Sequence, residues 1–519
     1  MKLYRGFATV GGMTVISRLL GFVRDILIAA VLGASAISDA FFVALRVPNM
    51  FRRIFAEGAF NAAFIPLYTK KLHEAGEEAA KTYAARALAG LTAILVAFVV
   101  LAEIAAPWLV MLLAPGFSDD ADKFRLTVLL VRIAMPYLLF MSWVALYTGL
   151  LNTLGKFAAA AFAPSILNFV LIAVLLGLIA TGHGEHHVAG VAMAWGVAVS
   201  GLLQVAIVVF AAVRTGLRLK LERPRWNADM KRLVHLAIPG VIAGGVAQIA
   251  IVIATIVASL EDRVVSWLYY ADRIFQLPLG LIGVAVGVVL LPDLSHKLRS
   301  GDAEAVVESE NRALEFSLLM TVPAAVALFF CAEPIMRVLF ERGAFTTTDA
   351  RASAAMLAAL SFGLPAYVVV KVLQPSFFAR EDTKTPMFYS RSALVGNAVL
   401  SPLLFVLVGP PGIAMATSLV GWINVALLAF ALRKRGEFIL DDKFRRAFRG
   451  IVLASVAMGL GLWWIAGALR SYFDPAYGLL AQVAALAALI AVGLVLYFAV
   501  GTVTGAVKPR TLVKDLLGR

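Results

Sequence analysis

The sequence predicts an all-α protein crossing a membrane about fourteen times, counted as apolar runs near the 20-residue length that spans a bilayer. Three observations carry this. First, 61% of the 519 residues are hydrophobic, only 15% are charged, and mean hydropathy is +0.89, far too apolar for an average water-soluble domain. Second, the apolar runs are separated by turn and charge signals. Third, the formal charge of +14 is concentrated in alternate short connections. That is a topology signal rather than a nucleic-acid footprint, so no nucleic-acid partner is expected.

The runs fall near 8–33, 37–67, 82–113, 124–151, 158–181 and 188–213. After a polar connector six more fall near 232–259, 264–294, 309–340, 350–378, 386–408 and 411–433, and a last pair near 447–469 and 477–505. Connections assigned to the cytoplasm carry Lys70, Lys71 and Lys81; Lys156; Arg214, Arg218, Lys220, Arg223, Arg225, Lys231 and Arg232; Lys297 and Arg299; Arg380 and Lys384; and Arg433 to Arg435, Lys443, Arg445, Arg446 and Arg449. Opposite connections at 33–38, 182–187 and 409–412 carry no Lys or Arg, and 118–123 is Asp-rich with one Lys. The positive-inside rule then places both termini in the cytoplasm, against the isolated exceptions Arg263, Arg342, Arg351 and Arg470. Met1 to Arg5 is a short basic start, and the run after it is too long and charge-interrupted for a cleaved signal core, so the first helix is expected to stay.

A faint repeat divides the chain. Ile65-Pro66-Leu67 with Lys71-Leu72 echoes Leu291-Pro292-Asp293 with Lys297-Leu298 at an offset of 226 residues. The offset spans an even number of crossings, so the copies enter the membrane the same way up, as parallel repeats about an axis along the membrane normal. The expected domains are an N-lobe at 1–215, a cytoplasmic connector at 216–231, a C-lobe at 232–435, and a C-terminal helix pair with basic tail at 436–519.

The stretch from Ser17 to Glu57 is the least regular. Arg18, Arg24, Asp25, Asp39, Arg46, Asn49, Arg52, Arg53 and Glu57 interrupt an otherwise apolar sequence. One charge at the centre of a spanning helix costs about 2.5–3.5 kcal/mol on insertion scales, so these groups must face something polar. Arg18 and Asp25 share a helix face and Arg24 adjoins Asp25, either lining a cavity or pairing structurally. Pro48 is expected to break the second helix, with Asn49 beside it as a polar contact. Arg53 and Glu57 are spaced as an i,i+4 pair, which leaves Arg52 as the substrate-facing charge. Asp39 is either a gate closing against an arginine of the first helix or an N-cap after Ser38. The eighth helix carries Ser266, Asp272, Arg273 and Gln276, and the tenth carries Lys371. Cationic groups gathered from both lobes call for an anion between them.

Other features point away from chemistry. The lone Cys331 excludes an intramolecular disulfide and reads as a small core residue. His183, Glu185, His186 and His187 read as a solvated loop, Glu103, Arg132 and Glu315 as isolated charges, and Asp119-Asp120 and Asp441-Asp442 lack the companions a metal-dependent transferase needs. No phosphate-binding GxxxxGK[ST] loop occurs. No metal, no cofactor and no catalytic residue are expected, and a transporter is favoured over an enzyme or a static scaffold.

At these residues the chain resembles the MurJ (MviN) lipid II flippases of the multidrug/oligosaccharidyl-lipid/polysaccharide exporter superfamily. The carrying motifs are Ser17-Arg18-Leu19-Leu20-Gly21-Phe22-Val23-Arg24-Asp25, Asp39-Ala40-Phe41-Phe42, Pro48-Asn49, Arg52-Arg53-Ile54-Phe55-Ala56-Glu57-Gly58-Ala59-Phe60, Ala114-Pro115-Gly116-Phe117, Phe162-Ala163-Pro164 with Leu167-Asn168, Trp267 with Tyr269-Tyr270-Ala271-Asp272-Arg273, and Lys371-Val372-Leu373 with Lys384-Thr385-Pro386. The resemblance implies a multi-pass bacterial inner-membrane protein with two six-helix lobes and two extra helices forming a groove. It would carry undecaprenyl-diphosphate-linked disaccharide-pentapeptide (lipid II) from the cytoplasmic to the periplasmic leaflet by alternating access, for peptidoglycan synthesis and cell shape. It further implies Arg18, Arg24, Arg52 and Arg273 as cavity arginines, with Asn49, Ser266 and Lys371 in substrate contact. Ser17, Asp25, Asp39, Arg46, Arg53, Glu57, Asp272 and Gln276 take gate or supporting places. Gln276 and Arg46 stand where relatives have Glu and Lys. The carboxylate that some relatives use for sodium inside the seventh helix has no counterpart between Lys231 and Leu260. Coupling to the membrane potential or to a monovalent cation is expected, with cell-wall synthesis proteins as partners besides lipid II and the phospholipid bilayer. The alternative is a multidrug or other lipid-oligosaccharide exporter of the same superfamily.

Overall fold

Among the described residues of the computed structural model (2–54, 60–183, 187–220, 222–224, 226–300 and 302–507) every regular element is a helix. In chain order they are α1 (Lys2–Leu32), α2 (Ala36–Arg52), α3 (Asn61–Ile104), α4 (Ala106–Leu113), α5 (Ala121–Ala134), α6 (Pro136–Thr153), α7 (Ala158–Thr181), α8 (His187–Arg214), α9 (Ala228–Ala258), α10 (Val264–Arg299), α11 (Ala303–Phe330), α12 (Ala332–Phe340), α13 (Thr347–Ser361), α14 (Leu364–Phe378), α15 (Lys384–Val408), α16 (Pro411–Lys434), α17 (Asp442–Ala468) and α18 (Gly478–Val503). Short 3-10 turns lie at Pro115–Asp119, Arg470–Phe473 and Pro475–Tyr477. Ten helical segments among the described residues are long and apolar enough to cross a membrane. The four other expected crossings correspond to α1, to α2 with the start of α3, to α9 and to α10, which are helical as well.

Several expected helices are subdivided, and proline explains where. The fourth run divides at Met135, so that α6 starts on Pro136, and the tenth divides so that α14 starts Leu364-Pro365. A ring nitrogen without a hydrogen is tolerated in the first turn, where its donor would have no partner anyway. The second run is also two elements, α2 ending at Arg52 and α3 starting at Asn61, with 55–59, and so Glu57, outside the described residues. Pro48, expected to break the helix, lies inside a continuous α2. Asn49 reinforces the helix there by donating from its side-chain amide to the Leu45 carbonyl at 2.8 Å.

The faint repeat recurs at several element boundaries. Adding 226 to both ends of α1 gives both ends of α9, and the starts of α4, α5 and α7 recur at the same offset as the starts of α12, α13 and α15. The left-handed Gly76 that interrupts α3 (φ 83°) falls, by that offset, on Asp302, the N-cap of α11. A two-motif echo in sequence is thus a repeat of helix lengths and breaks.

The chain forms two compact units. Unit 1 is Met1–Ser266 with Arg342–Phe345. In it α7 packs on α1 and α8, α6 on α8 and α3, and α5 on α2. Small residues allow the close crossings: Gly196 faces Leu171 and Val174, and Gly201 faces Tyr137 and Phe140. Unit 2 is Trp267–Glu341 with Thr346–Arg519. Its core joins α11, α14, α17 and α18 around Leu319, Val372, Phe377, Met458 and Leu489. Cys331 is buried in that core, at the junction of α11 and α12. The Tyr497 hydroxyl of α18 donates to the Leu319 carbonyl of α11 at 2.8 Å.

One ion pair in unit 2 lies outside the spanning helices and sets an acid-stability signature. Asp382 accepts from the Thr385 N–H at 3.0 Å, the Thr385 hydroxyl at 2.7 Å and Arg435 at 2.7 Å. Those bonds hold its carboxyl down at about 2. A depressed folded-state value contributes stability above the unfolded carboxyl's value of about 3.9, and that contribution disappears as pH falls through about 2. Asp382→Asn should therefore melt below wild type at pH 6, with the gap closing between about pH 4 and pH 2. Detergent melting curves across that range check it, and a gap that stays constant with pH would remove the assignment.

Candidate functional site

The charged residues of the first two helices fall into three arrangements in unit 1. In the first, Arg24 is 8% exposed and Asp25 fully buried. Arg24 donates from Nε and Nη2 to Asp25 Oδ1 at 3.0 and 2.6 Å, and from Nη1 to Asn168 Oδ1 of α7 at 2.9 Å. Asn168 in turn donates to the Ser17 carbonyl at 2.9 Å. One α7 amide therefore spans two turns of α1 and fixes the plane of the guanidinium. Arg18 is exposed, and Asp25 goes to Arg24 rather than to Arg18.

In the second arrangement, Arg46 of α2 donates to the Thr255 hydroxyl of α9. Arg52 is half-buried, its Nε 3.2 Å from Asn49 Oδ1, while Arg53 is exposed at the C-cap of α2. Asn49 thus spends its amide on the helix and its oxygen on Arg52. Sequence spacing had reserved a partner for Arg53 alone.

The third surrounds Asp39. The N-cap of α2 is Ser35, in a capping box with Ser38, so Asp39 is not the cap of its own helix. It caps another. Its Oδ1 accepts from the Ser266 N–H at 3.0 Å and the Ser266 hydroxyl at 2.6 Å, and its Oδ2 from the Arg263 N–H at 2.9 Å. These are donors at the N-terminal end of α10, where a carboxylate meets the positive pole of the helix. Arg263 holds a left-handed φ of 68°, uncommon for a residue with a side chain, and its N–H is aimed at Asp39. The charge partner is Lys123 of α5, 3% exposed, with Nζ at 2.8 Å from Asp39 Oδ2, 2.8 Å from Asp262 Oδ1 and 4.2 Å from the Phe117 ring centroid. An arginine of α1 had been the expected partner. Lys123 takes that place because α5 packs directly on α2. The Ser38 and Ser266 hydroxyls, both fully buried, lie 2.8 Å apart.

In unit 2, α10 carries Asp272 and Arg273, both half-buried, and the Gln276 amide donates to Asp272. A carboxylate at 276 would repel Asp272, whereas the amide binds it. Lys371 of α14 lies across Gly283 of α10: a Cβ there would stand 2.6 Å from its Nζ and 3.0 Å from its Cδ. Gly283 therefore makes the groove through which this lysine reaches, and nothing in the local sequence distinguished it from other helix glycines. At the offset of 226, Lys123 corresponds to Asp349, and Asp349 accepts from the Trp267 indole at 3.0 Å. Each repeat thus ties its second helix to its fifth element through a polar contact, of different chemistry in the two halves.

A family model described as lipid II flippase MurJ matches residues 28–484. A probable lipid II flippase MurJ from Rhizobium tropici is 42% identical over 99% of this chain and 97% of its own length. Among solved structures, a lipid II flippase MurJ in an inward closed conformation superposes with a TM-score of 0.78 at 26% identity, covering 98% of this chain and 99% of that one. An inward-facing multidrug MATE transporter of the MOP superfamily gives 0.66 at 12% identity over 82% and 97%, a likeness of fold alone. With its model matched over most of its length and its relatives matched end to end, this multi-pass membrane chain belongs to the MurJ family of lipid II flippases.

Proposed function

We propose that the protein is a lipid II flippase, moving undecaprenyl-diphosphate-linked disaccharide-pentapeptide from the cytoplasmic to the periplasmic leaflet by alternating access. The observation that carries the reading is Arg24: a guanidinium buried in a spanning helix and oriented from α7 as well as by its neighbouring carboxylate. Such a group is too costly to keep at membrane depth for packing alone. Planar, permanently charged donors of this kind suit a diphosphate. Arg18, Arg52 and Arg273 supply further cationic groups, with Asn49, Ser266 and Lys371 as polar contacts. The family narrows the anion to lipid II.

The protein sits in the bacterial inner membrane with both termini in the cytoplasm, acts without a catalytic residue, metal or cofactor, and works beside cell-wall synthesis proteins. Moving one negative charge outward across an inside-negative membrane is favourable by about 2.3 kcal/mol per 100 mV, so the potential drives the loaded step. A monovalent cation is the alternative coupling. Depleting the protein should make lipid II accumulate in the cytoplasmic leaflet, and collapsing the potential should slow its appearance outside. An unchanged leaflet distribution after depletion would reject the function. An unchanged rate after collapse would reject the energetics alone.

A further inference from the structure

The repeat exposes a device at the end of the helices where Gly33, Asp39 and Lys123 lie. The loop after α4 and the loop after α12 are equivalent by offset, as are the C-terminal ends of α1 and α9. Within unit 1 they are cross-matched. Gly116, after α4, presses on the end of α9: a Cβ there would stand 2.6 Å from the Ser259 carbonyl carbon, 2.7 Å from the Leu260 Cα and closer still to the Ser259 oxygen. The Gly116 N–H also donates to the Ser259 hydroxyl at 3.2 Å. Gly343, after α12, presses on the end of α1, where a Cβ would stand 3.0 Å from the Ala30 carbonyl carbon and closer to its oxygen. The neighbouring Ala344 N–H donates to that Ala30 carbonyl at 2.8 Å. Gly33 meets the same loop from the other side, its φ of 60° fixing the chain reversal and a Cβ falling 2.8 Å from the Ala344 carbonyl carbon.

Each repeat's loop therefore closes on the last turn of the other repeat's first helix, backbone against backbone, and a glycine makes each contact possible. The carbonyls at a helix end have no partner inside the helix, and the Ala344 N–H supplies one to α1. From this geometry we infer that the two loops are a reciprocal latch: together they hold the outer end of the transporter shut, and both must leave α1 and α9 for cargo to exit. The inference rests on the alternating-access reading for its direction. The cross-matched contacts themselves do not.

The test measures opening separately from transport. A reporter cysteine replaces buried Ser38, behind the latch, with Cys331 changed to Ser, and a membrane-impermeant maleimide is added from outside. Gly116→Ala is the cleanest wedge, since Gly116 has no left-handed φ to strain, and Gly343→Ala is its reciprocal. Gly177→Ala, with nothing within 4 Å, is the control. An added methyl against backbone should raise reporter labelling by on the order of tenfold in both wedge variants and not in the control. Unchanged labelling in folded Gly116→Ala protein would overturn the latch. Should the wedges fail to fold, Ser259→Ala decides: it removes the hydroxyl that accepts from the Gly116 N–H at 3.2 Å and should raise reporter labelling, whereas unchanged labelling in folded protein would overturn the latch. A wild-type protein that moves no lipid II would sink the flippase reading and leave the labelling result to judge the latch.

Discussion

Replacing Arg52 with alanine should abolish lipid II transport while folded protein stays at its normal level; replacing Arg24 should abolish both. The difference follows from burial. Arg52 is half-buried, its Nε 3.2 Å from Asn49 Oδ1, so water reaches the space its loss leaves. Arg24 neutralises a fully buried carboxylate, and removing one member of such a pair costs about 3–5 kcal/mol, a large fraction of the stability of a typical domain. A bare Arg24→Ala phenotype is therefore uninformative about transport. The informative variant is Arg24→Ala with Asp25→Asn, which discharges the stranded group and should return most of the lost stability while transport stays absent. A charge-assisted hydrogen bond to a phosphate is worth about 1.5–3 kcal/mol, so each lost arginine weakens the grip on the diphosphate by roughly ten- to a hundredfold. Arg52→Lys should recover only part of this, because an ammonium lacks the two-pronged donor geometry. Growth after depletion of the wild-type copy, read beside membrane protein levels, separates the outcomes. Normal growth with Arg52 and Arg273 both replaced would end the assignment of these arginines to the substrate.

What the sequence disclosed and what it withheld divide along physical lines. Membrane insertion depends on summed apolarity, and arginines in apolar runs are conspicuous because they are costly, so both are legible one segment at a time. Arg24 beside Asp25 was visible as a neighbour pair. That Asn168, 144 positions further on, would orient that arginine depends on how α7 lies on α1, which no local pattern encodes. Lys123 was passed over for the same reason: in an Asp-rich connection it reads as a solvated charge, and only the packing of α5 on α2 buries it. Asp39 stood out as a charge near a helix start, and sequence rules assign such a residue to its own helix. Its four accepted bonds serve α10 and α5 instead. Pro48 erred in the other direction. A proline inside an apolar run reads as a break, yet α2 continues through it to Arg52.

The cluster around Lys123 gives the second large effect, and its members should differ sharply. Lys123 and Asp39 are both out of contact with solvent, so Lys123→Met strands a carboxylate in a site that water does not reach. Breaking a buried pair costs about 3–5 kcal/mol; the two N–H groups and one hydroxyl that still reach Asp39 pull the expectation toward 3. The second partner of Lys123, Asp262, has a side chain 82% exposed, and an ion pair with one exposed member contributes at most about 1 kcal/mol. Asp262→Asn should accordingly be near neutral. Lys123→Met/Asp39→Asn should recover more than half of the single-mutant loss, because an amide oxygen can still accept from Ser266 and no charge remains to be desolvated. The double-mutant cycle should give a coupling of about 1.5 kcal/mol or more, against the few tenths expected of residues that do not interact. Melting temperatures in detergent decide the order. If Lys123→Met and Asp262→Asn shift the midpoint equally, the buried pair is not what holds the start of α10 to α2 and α5.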